Sequence, residues 1–256
     1  GEAGFFALTI DPAQLSERSA VEPRELLFVV DSSCSMQGTP YDLTQQTMDR
    51  ALSAMRPEDT FNIVRFSMRS ERLFETSQPI SGRRHAQATE FLEDFIGSGT
   101  MIEVGLDDAL STPPDPERMR VVVLISDGYA GDERRVLEML EDLDGARVFS
   151  LGIGAAPNRH LMEELARVGR GETIYQGLDT PIDAVVDAMT DRIAAPALVD
   201  LSIDWGRLPV ADVHPVQLPD LWYGRPVRVY GTYMPPYGAA GALTEEVVVT
   251  LSLIHI

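Results

Sequence analysis

Short apolar runs alternate with amphipathic helical stretches from Glu25 onward. Uninterrupted apolar segments such as ELLFVV (25–30) and VVVLIS (121–126) are typical of parallel strands that are buried on both faces. Between such runs, apolar residues recur at helical spacing, as in the stretch 48–55. This alternation predicts an α/β domain over residues 24–195, with a doubly wound, mostly parallel sheet covered by helices on both faces.

The pattern changes to strict alternation after that domain. In VDLSIDW (199–205) apolar and polar residues follow a period of two, which is typical of a half-buried antiparallel strand. FFALTI (5–10) is a candidate strand of the same region. We expect residues 1–23 to supply a strand and a linker, and residues 196–256 to supply the rest of a smaller, antiparallel, sandwich-like β-region. The α/β domain would then be inserted in this β-region. Because both ends of the chain resemble strands, we expect it to be an excised fragment.

Composition narrows the classes of function. The 256 residues are 44% hydrophobic, and 40 acidic against 21 basic residues give a net charge of -19. This charge argues against nucleic acid or an anionic membrane surface as a partner, and no apolar run is long enough to insert into a membrane. Every basic residue is arginine, so the lysine of a P-loop nucleotidase or of a pyridoxal enzyme is missing. The single cysteine excludes an internal disulfide.

Oxygen-bearing side chains gather where two buried strands end. Asp31 and Asp127 terminate those strands, and ligands of doubly wound sheets bind beyond the carboxyl ends of strands. Ser33 and Ser35 alternate with Asp31 so that all three side chains can point to one side, and Thr100 can arrive from the turn GSGT. Five hard oxygen donors, of which only two are charged, suit Mg²⁺, with Mn²⁺ and Ca²⁺ as alternatives. Such an electron-poor centre would accept an outside carboxylate as a sixth ligand.

Catalytic interpretations of the same residues fit less well. A phosphatase that uses Asp31 as a phosphoryl acceptor wants a second acid where Ser33 stands and a basic residue downstream. A serine nucleophile needs a G-x-S-x-G elbow and a histidine partner, and neither accompanies Ser33 or Ser35. GIGAAPN (152–158) lacks the complete glycine pattern of a dinucleotide loop. We therefore expect a protein that is not an enzyme.

Cys34, Met101 and Ile102, which lie close to predicted ligands in the sequence, have open roles. Cys34 is either an exposed reactive thiol or a small residue tolerated in the loop, and the lack of nearby basic residues favours the second role. We expect Cys34 and Ser32 to be spacers that face away from the metal. Met101 and Ile102 would either form an apolar rim for a protein ligand or pack their helix against the sheet.

The motifs DSSCS, GSGT and LISDG, in this order, resemble the metal-ion-dependent adhesion site of von Willebrand factor type A domains. This resemblance implies that Ser33, Ser35 and Thr100 contact the metal directly, while Asp31 and Asp127 often act through water. Thr100 would exchange between direct and water-mediated contact as ligand binds.

Two positions depart from the family pattern. Cys34 and Ser98 stand where the family often has glycine, and neither is a ligand position.

Other segments narrow the resemblance. RPEDTFNIVRFS, SLGIGAAPNRHLMEELARVGRGETIY and APALVDLSIDW are similar to bacterial relatives of inter-alpha-trypsin inhibitor heavy chains. This resemblance implies an extracellular or cell-surface protein.

The leading hypothesis is a metal-dependent adhesion module that captures a carboxylate of a protein or peptide ligand. The alternative is an intramolecular or assembly scaffold clamped by the same metal site. A metal-dependent phosphatase-type hydrolase is the third hypothesis.

Overall fold

The chain folds as two compact units in the computed structural model. One, here called the α/β unit, comprises Glu22–Ala194, and the other, the β unit, comprises Gly1–Val21 and Ala195–His255. The structure describes residues 4–11, 23–128, 132–140, 143, 145–193, 199–216, 218–221, 226–234 and 248–252. The linker predicted within residues 1–23 lies largely outside these ranges.

The strands, in chain order, are β1 (Gly4–Ile10), β2 (Arg24–Asp31), β3 (Thr60–Phe66), β4 (Ser70–Arg72), β5 (Gln78–Pro79), β6 (Met119–Ser126), β7 (Arg147–Ile153), β8 (Arg170–Gln176), β9 (Val199–Asp204), β10 (Val210–His214), β11 (Val227–Tyr233) and β12 (Val248–Ser252). The helices are α1 (Thr39–Ser53), α2 (Gly82–Glu93), α3 (Ile102–Leu110), α4 (Glu133–Met139), α5 (Arg159–Val168) and α6 (Ile182–Ile193).

The sheet of the α/β unit runs in the order β4-β3-β2-β6-β7-β8, with β5 also paired to β3. Strands β3, β2, β6, β7 and β8 are mutually parallel, while β4 and β5 run antiparallel to β3. Every residue of β2 and β6 is buried, as expected for central strands with helices on both faces. The predicted fold class, a doubly wound α/β sheet beside a separate antiparallel region, is therefore confirmed.

The helices divide between the two faces of this sheet. Helices α3, α4 and α5 share a core with alternate strand residues, while α1 contacts α2 and α6. Fully buried members of the shared core include Val29, Phe66, Ile102, Leu106, Val136 and Met162. Val136, Leu140 and Leu143 follow one another at helical spacing in the sequence, but α4 ends at Met139.

The β unit contains two antiparallel sheets within the described residues. One has the strand order β1-β11-β10, and the other pairs β12 with β9. Leu201 of β9 and Val229 of β11 belong to one apolar cluster, in which the rings of Phe6 and Trp205 lie 4.9 Å apart. Shared burial of both sheets in one cluster gives the unit its sandwich-like character.

Candidate metal centre

The carboxylate of Asp31 is fixed at the carboxyl end of β2. Its side chain is fully buried, and Oδ1 accepts a hydrogen bond of 2.8 Å from the backbone N–H of Ser33. Oδ2 accepts a bond of 2.5 Å from the hydroxyl of Ser126, the last residue of the neighbouring strand β6. Because both oxygens are held, the orientation of this carboxylate is set by two strands at once.

The hydroxyls of Ser33 and Ser35 converge. A short 3-10 helix, Cys34–Met36, follows Ser33 and is anchored by the buried side chain of Met36. It brings the two Oγ atoms to 3.1 Å from each other. Two oxygens that bind the same Mg²⁺ at right angles, each about 2.1 Å away, lie about 3 Å apart, so this pair fits adjacent coordination positions. Ser33 is buried whereas Ser35 is exposed, so the pair lies between the sheet edge and solvent.

The loop that carries Thr100 is tied to the loop that follows β2. The backbone N–H of Cys34 donates to the carbonyl of Ser98 at 3.0 Å, and the hydroxyl of Ser32 accepts from the N–H of Ile96 at 2.9 Å. Thr100 follows directly, two residues before the start of α3. The predicted third hydroxyl is therefore carried by a segment that hydrogen bonds join to the serine loop.

A third loop contributes through Ser67, the residue after β3. Its carbonyl accepts from the N–H of Met101 at 2.9 Å, and its hydroxyl accepts from the hydroxyl of Ser98 at 3.3 Å. Ser98 has a φ of 111°, in the left-handed region that favours glycine. The serine at this position of the motif is thus accommodated in a glycine-like conformation.

Asp127 directly follows Ser126 at the end of β6. Its side chain is mostly buried, and its carbonyl accepts from the N–H of Asn158 at 2.7 Å. Gly128 then adopts a φ of 77°, and a Cβ atom there would lie only 3.1 Å from Cγ of Met162. Glycine after Asp127 is therefore required both by the backbone conformation and by the neighbouring helix α5.

Electrostatics at the sheet edge favour a cation. Burial raises the pKa of Asp31 to about 6; the hydrogen bonds from Ser126 and Ser33 oppose the rise, and the charge of Asp127 adds to it. A divalent ion would relieve both the burial cost and the repulsion between the two carboxylates. In the described part of the chain, no group of three or more His, Cys, Asp and Glu side chains could hold a metal, so a centre here depends on hydroxyl donors.

Sequence reasoning missed the residues that support this edge. Ser67 and Ser126 were not singled out, and Ser32 and Cys34 were expected to be spacers. Ser32 is instead fully buried and bonded to the Thr100 loop, and the exposed Sγ of Cys34 accepts from the N–H of Ser98 at 3.1 Å. Each of these four residues lies next to a strand end, ligand or turn in the sequence, but their partners are distant in the chain.

The open question about the residues after Thr100 is answered for one of them. Ile102 is fully buried and belongs to the core between α3 and the sheet, so it packs its helix. Met101 is partly exposed.

Comparison with known families identifies the α/β unit. The model of the von Willebrand factor type A domain matches residues 24–174, which is more than half of the chain. The chain therefore belongs to the von Willebrand factor type A domain family.

The relatives are much longer than this chain. A von Willebrand factor A domain-containing protein of Dictyostelium discoideum is 26% identical over 213 residues, which cover 81% of this chain and 23% of that protein. Human protein mono-ADP-ribosyltransferase PARP4 is 28% identical over 237 residues, which cover 88% of this chain and 13% of that protein. The chain thus spans less than a quarter of each of these relatives, and the match with the transferase is a partial one.

Solved structures share the fold. A von Willebrand factor type A protein from Catenulispora acidiphila superposes with a TM-score of 0.67 at 15% identity, covering 96% of this chain and 68% of that one. Proximal thread matrix protein 1 from the mussel byssus, whose structure is described as having a zinc-occupied MIDAS motif, gives a TM-score of 0.54 at 19% identity, covering 72% and 48% of the two chains.

None of the helices in the described part of the chain combines the length and the apolar character that crossing a membrane requires.

Proposed function

We propose that this chain is a non-catalytic protein-binding module in which a divalent cation captures a carboxylate of a protein or peptide ligand. The observation that carries the proposal is the pair of hydroxyls of Ser33 and Ser35, 3.1 Å apart beside the buried carboxylate of Asp31. Thr100 and Asp127 would complete the ligand set from the two adjoining loops. We take Mg²⁺ as the ion, with Mn²⁺ and Ca²⁺ as alternatives.

The residues of the site divide into direct donors and orienting groups. When bound, the cation supplies an electrophilic centre to which an incoming carboxylate adds. The hydroxyls of Ser33, Ser35 and Thr100 are neutral, so they neutralise little of its charge. Asp31, held by Ser126, balances charge from the buried side without leaving the strand end.

A catalytic role gains no support from these contacts. The hydroxyl of Ser33 pairs with another hydroxyl, that of Ser35, whereas a nucleophilic serine pairs with a base. The oxygens of Asp31 face a backbone N–H and the hydroxyl of Ser126.

An extracellular or cell-surface location, as in relatives of inter-alpha-trypsin inhibitor heavy chains, is part of the proposal.

Calorimetric titration with MgCl₂ tests the metal centre. We expect saturable binding of one ion per chain, and at least a tenfold weaker affinity for Thr100→Ala and Ser33→Ala. Thr89→Ala, which removes an exposed hydroxyl from α2, is the matched control and should bind like the wild type.

Thermal unfolding gives a second readout of the same proposal. Because a ligand that binds only the folded state stabilises it, saturating Mg²⁺ should raise the melting temperature of the wild type and of Thr89→Ala, but not that of Thr100→Ala. Equal affinity of Thr100→Ala and wild type for Mg²⁺, with both proteins folded, would contradict the assignment.

A further inference from the structure

Met68 is an exposed apolar side chain in a conspicuous place. It lies in the turn between β3 and β4 and is 61% exposed. Among the described residues of the α/β unit, Leu178 is the other large apolar side chain with comparable exposure, at 43%. Single exposed apolar residues are common on protein surfaces, so the position of Met68 must decide whether it has a role.

Met68 lies beside the threonine loop. A Cβ atom on Gly99 would be 3.4 Å from Cγ and 3.7 Å from Sδ of Met68, so the thioether covers this glycine. Gly99 immediately precedes Thr100, a predicted ligand of the metal. The exposed methionine is therefore one residue removed from the proposed centre.

The turn that presents Met68 is hydrogen-bonded to the loop that carries Thr100. Ser67 bonds to Ser98 and to Met101 on either side of Thr100. Its own N–H donates to the carbonyl of Arg69 at 2.9 Å, which closes the turn beneath Met68. A ligand that reaches the metal thus meets an apolar surface at a defined position.

We propose that Met68 determines ligand specificity, so that the site prefers a carboxylate that carries an apolar arm over a bare carboxylate. This inference rests on the proposed function, because the carboxylate is oriented by the cation. A thioether is flexible and polarisable and adapts to apolar groups of different shape. Each buried methylene strengthens binding about fourfold, so partial contact along a short branched arm gives a preference of about tenfold.

The test compares two small carboxylates in the presence of saturating Mg²⁺. Acetate has no arm, whereas 4-methylpentanoate carries a branched aliphatic arm on the same carboxylate. With methionine methyl groups labelled by ¹³C, we expect 4-methylpentanoate to bind about tenfold more tightly than acetate and to shift the Met68 methyl resonance.

Variants make the comparison specific. Met68→Ala should reduce the ratio of the two affinities towards one, and a general weakening of the metal centre would lower both affinities without changing their ratio. Leu178→Ala removes a similarly exposed side chain next to β8, at the opposite edge of the sheet from β3 and β4, and should keep the wild-type ratio.

The two proposals fail in different ways. If Mg²⁺ does not bind, both fall. If Mg²⁺ binds but the two carboxylates have equal affinity, or the Met68 resonance does not move, the role of Met68 is wrong while the metal centre stands.

Discussion

Buried hydroxyls hold the candidate centre together at the scale of single residues. Ser32, Ser67 and Ser126 are all fully buried, and each hydroxyl bonds to a residue that is distant in the sequence. Because serine is short and neutral, these bonds hold the loops together without adding charge near the proposed cation. These bonds would therefore fix the geometry of the donor oxygens from several sides while leaving a bound cation electrophilic.

Replacing Ser32 tests a residue that supports the Thr100 loop but is not a predicted ligand of the metal. In Ser32→Ala the N–H of Ile96 loses its acceptor, so we expect the free energy of unfolding to fall by about 1 to 2 kcal/mol. The affinity for Mg²⁺ should also fall several-fold, although Ser32 is not a predicted ligand, because one of the bonds that hold the Thr100 loop is lost. Urea unfolding and calorimetry measure the two effects.

Ser53→Ala is the control for this comparison, since Ser53 is exposed at the end of α1. It should leave both quantities unchanged. Undiminished Mg²⁺ affinity in a destabilised Ser32→Ala would mean that the loop keeps its position without this bond.

Among the secondary-structure elements, helix α3 connects the core of the α/β unit with the candidate centre. It begins directly after the threonine loop, and its Gly105 faces the ring of Phe66 at the end of β3. A Cβ atom on Gly105 would lie 2.6 Å from Cδ1 of Phe66, a fully buried side chain with little freedom to move. The absence of a side chain at Gly105 therefore sets how closely α3 approaches the sheet.

Gly105→Ala should push this helix outward. Alanine favours a helix by about 1 kcal/mol over glycine, but overpacking against Phe66 costs about 1 to 3 kcal/mol, so we expect a net loss of stability. Mg²⁺ affinity should fall with it, because Thr100 moves with α3.

The control is Gly82→Ala at the start of α2, where a Cβ atom would meet nothing within 4 Å. This variant should be neutral or slightly stabilising in urea unfolding. A stabilised Gly105→Ala would show that the packing of α3 tolerates a methyl group.

Elements with a strong local pattern could be predicted from the sequence, and elements defined by distant partners could not. The apolar runs of β2 and β6 predicted central parallel strands, and the structure confirms them. Strand β10 was not identified, because it is short, bounded by prolines and paired with β11 through an irregular register. At the candidate centre, the strand ends and the three motifs allowed five ligands to be predicted, whereas no local pattern indicates that the hydroxyl of Ser126 bonds to Asp31. The assignment of those ligands stays a prediction.

Ion pairs lie at the start of the central strands of the α/β unit, at the edge opposite the candidate centre. Arg24 donates to Asp59 at 2.6 Å, Arg56 donates to the same carboxylate at 2.7 Å, and Arg120 pairs with Glu25 at 2.7 Å. Burial disfavours the charged form of Asp59, but the hydrogen bonds from Arg56 and Arg24 and the charge of Arg24 outweigh it, so the pKa of Asp59 lies below its usual value. The charges at the start of the strands are thus compensated within the chain, whereas a cation is proposed at their carboxyl ends.

Acid should lower the free energy of unfolding of the α/β unit, because it protonates the carboxylate of Asp59. Because the pKa of Asp59 is lower in the folded state than in the unfolded chain, its ion pairs stabilise the fold fully above about pH 4 and less as the pH falls through the folded-state value. Asp59→Asn should cost about 3 kcal/mol at pH 7, since it removes the buried negative charge that Arg24 and Arg56 share, and the difference from wild type should shrink below about pH 4.

Denaturant unfolding as a function of pH checks this prediction. Glu138→Gln, which breaks the exposed pair with Arg134 on α4, is the control and should leave the free energy of unfolding close to that of the wild type. A difference between Asp59→Asn and wild type that stays constant down to pH 2 would contradict the assigned role of Asp59.

Arg24 also joins the two ends of the α/β unit, since its guanidinium donates to the carbonyl of Ile193 at 3.1 Å. The chain therefore enters and leaves this unit at neighbouring positions, which the bond between Arg24 and Ile193 joins beside the first residue of β2. Asp31 ends the same strand, about 23 Å away. A pulling force transmitted along the backbone would load the contact between Arg24 and Ile193 first. The candidate centre, at the other end of β2, would carry none of that load until this contact breaks.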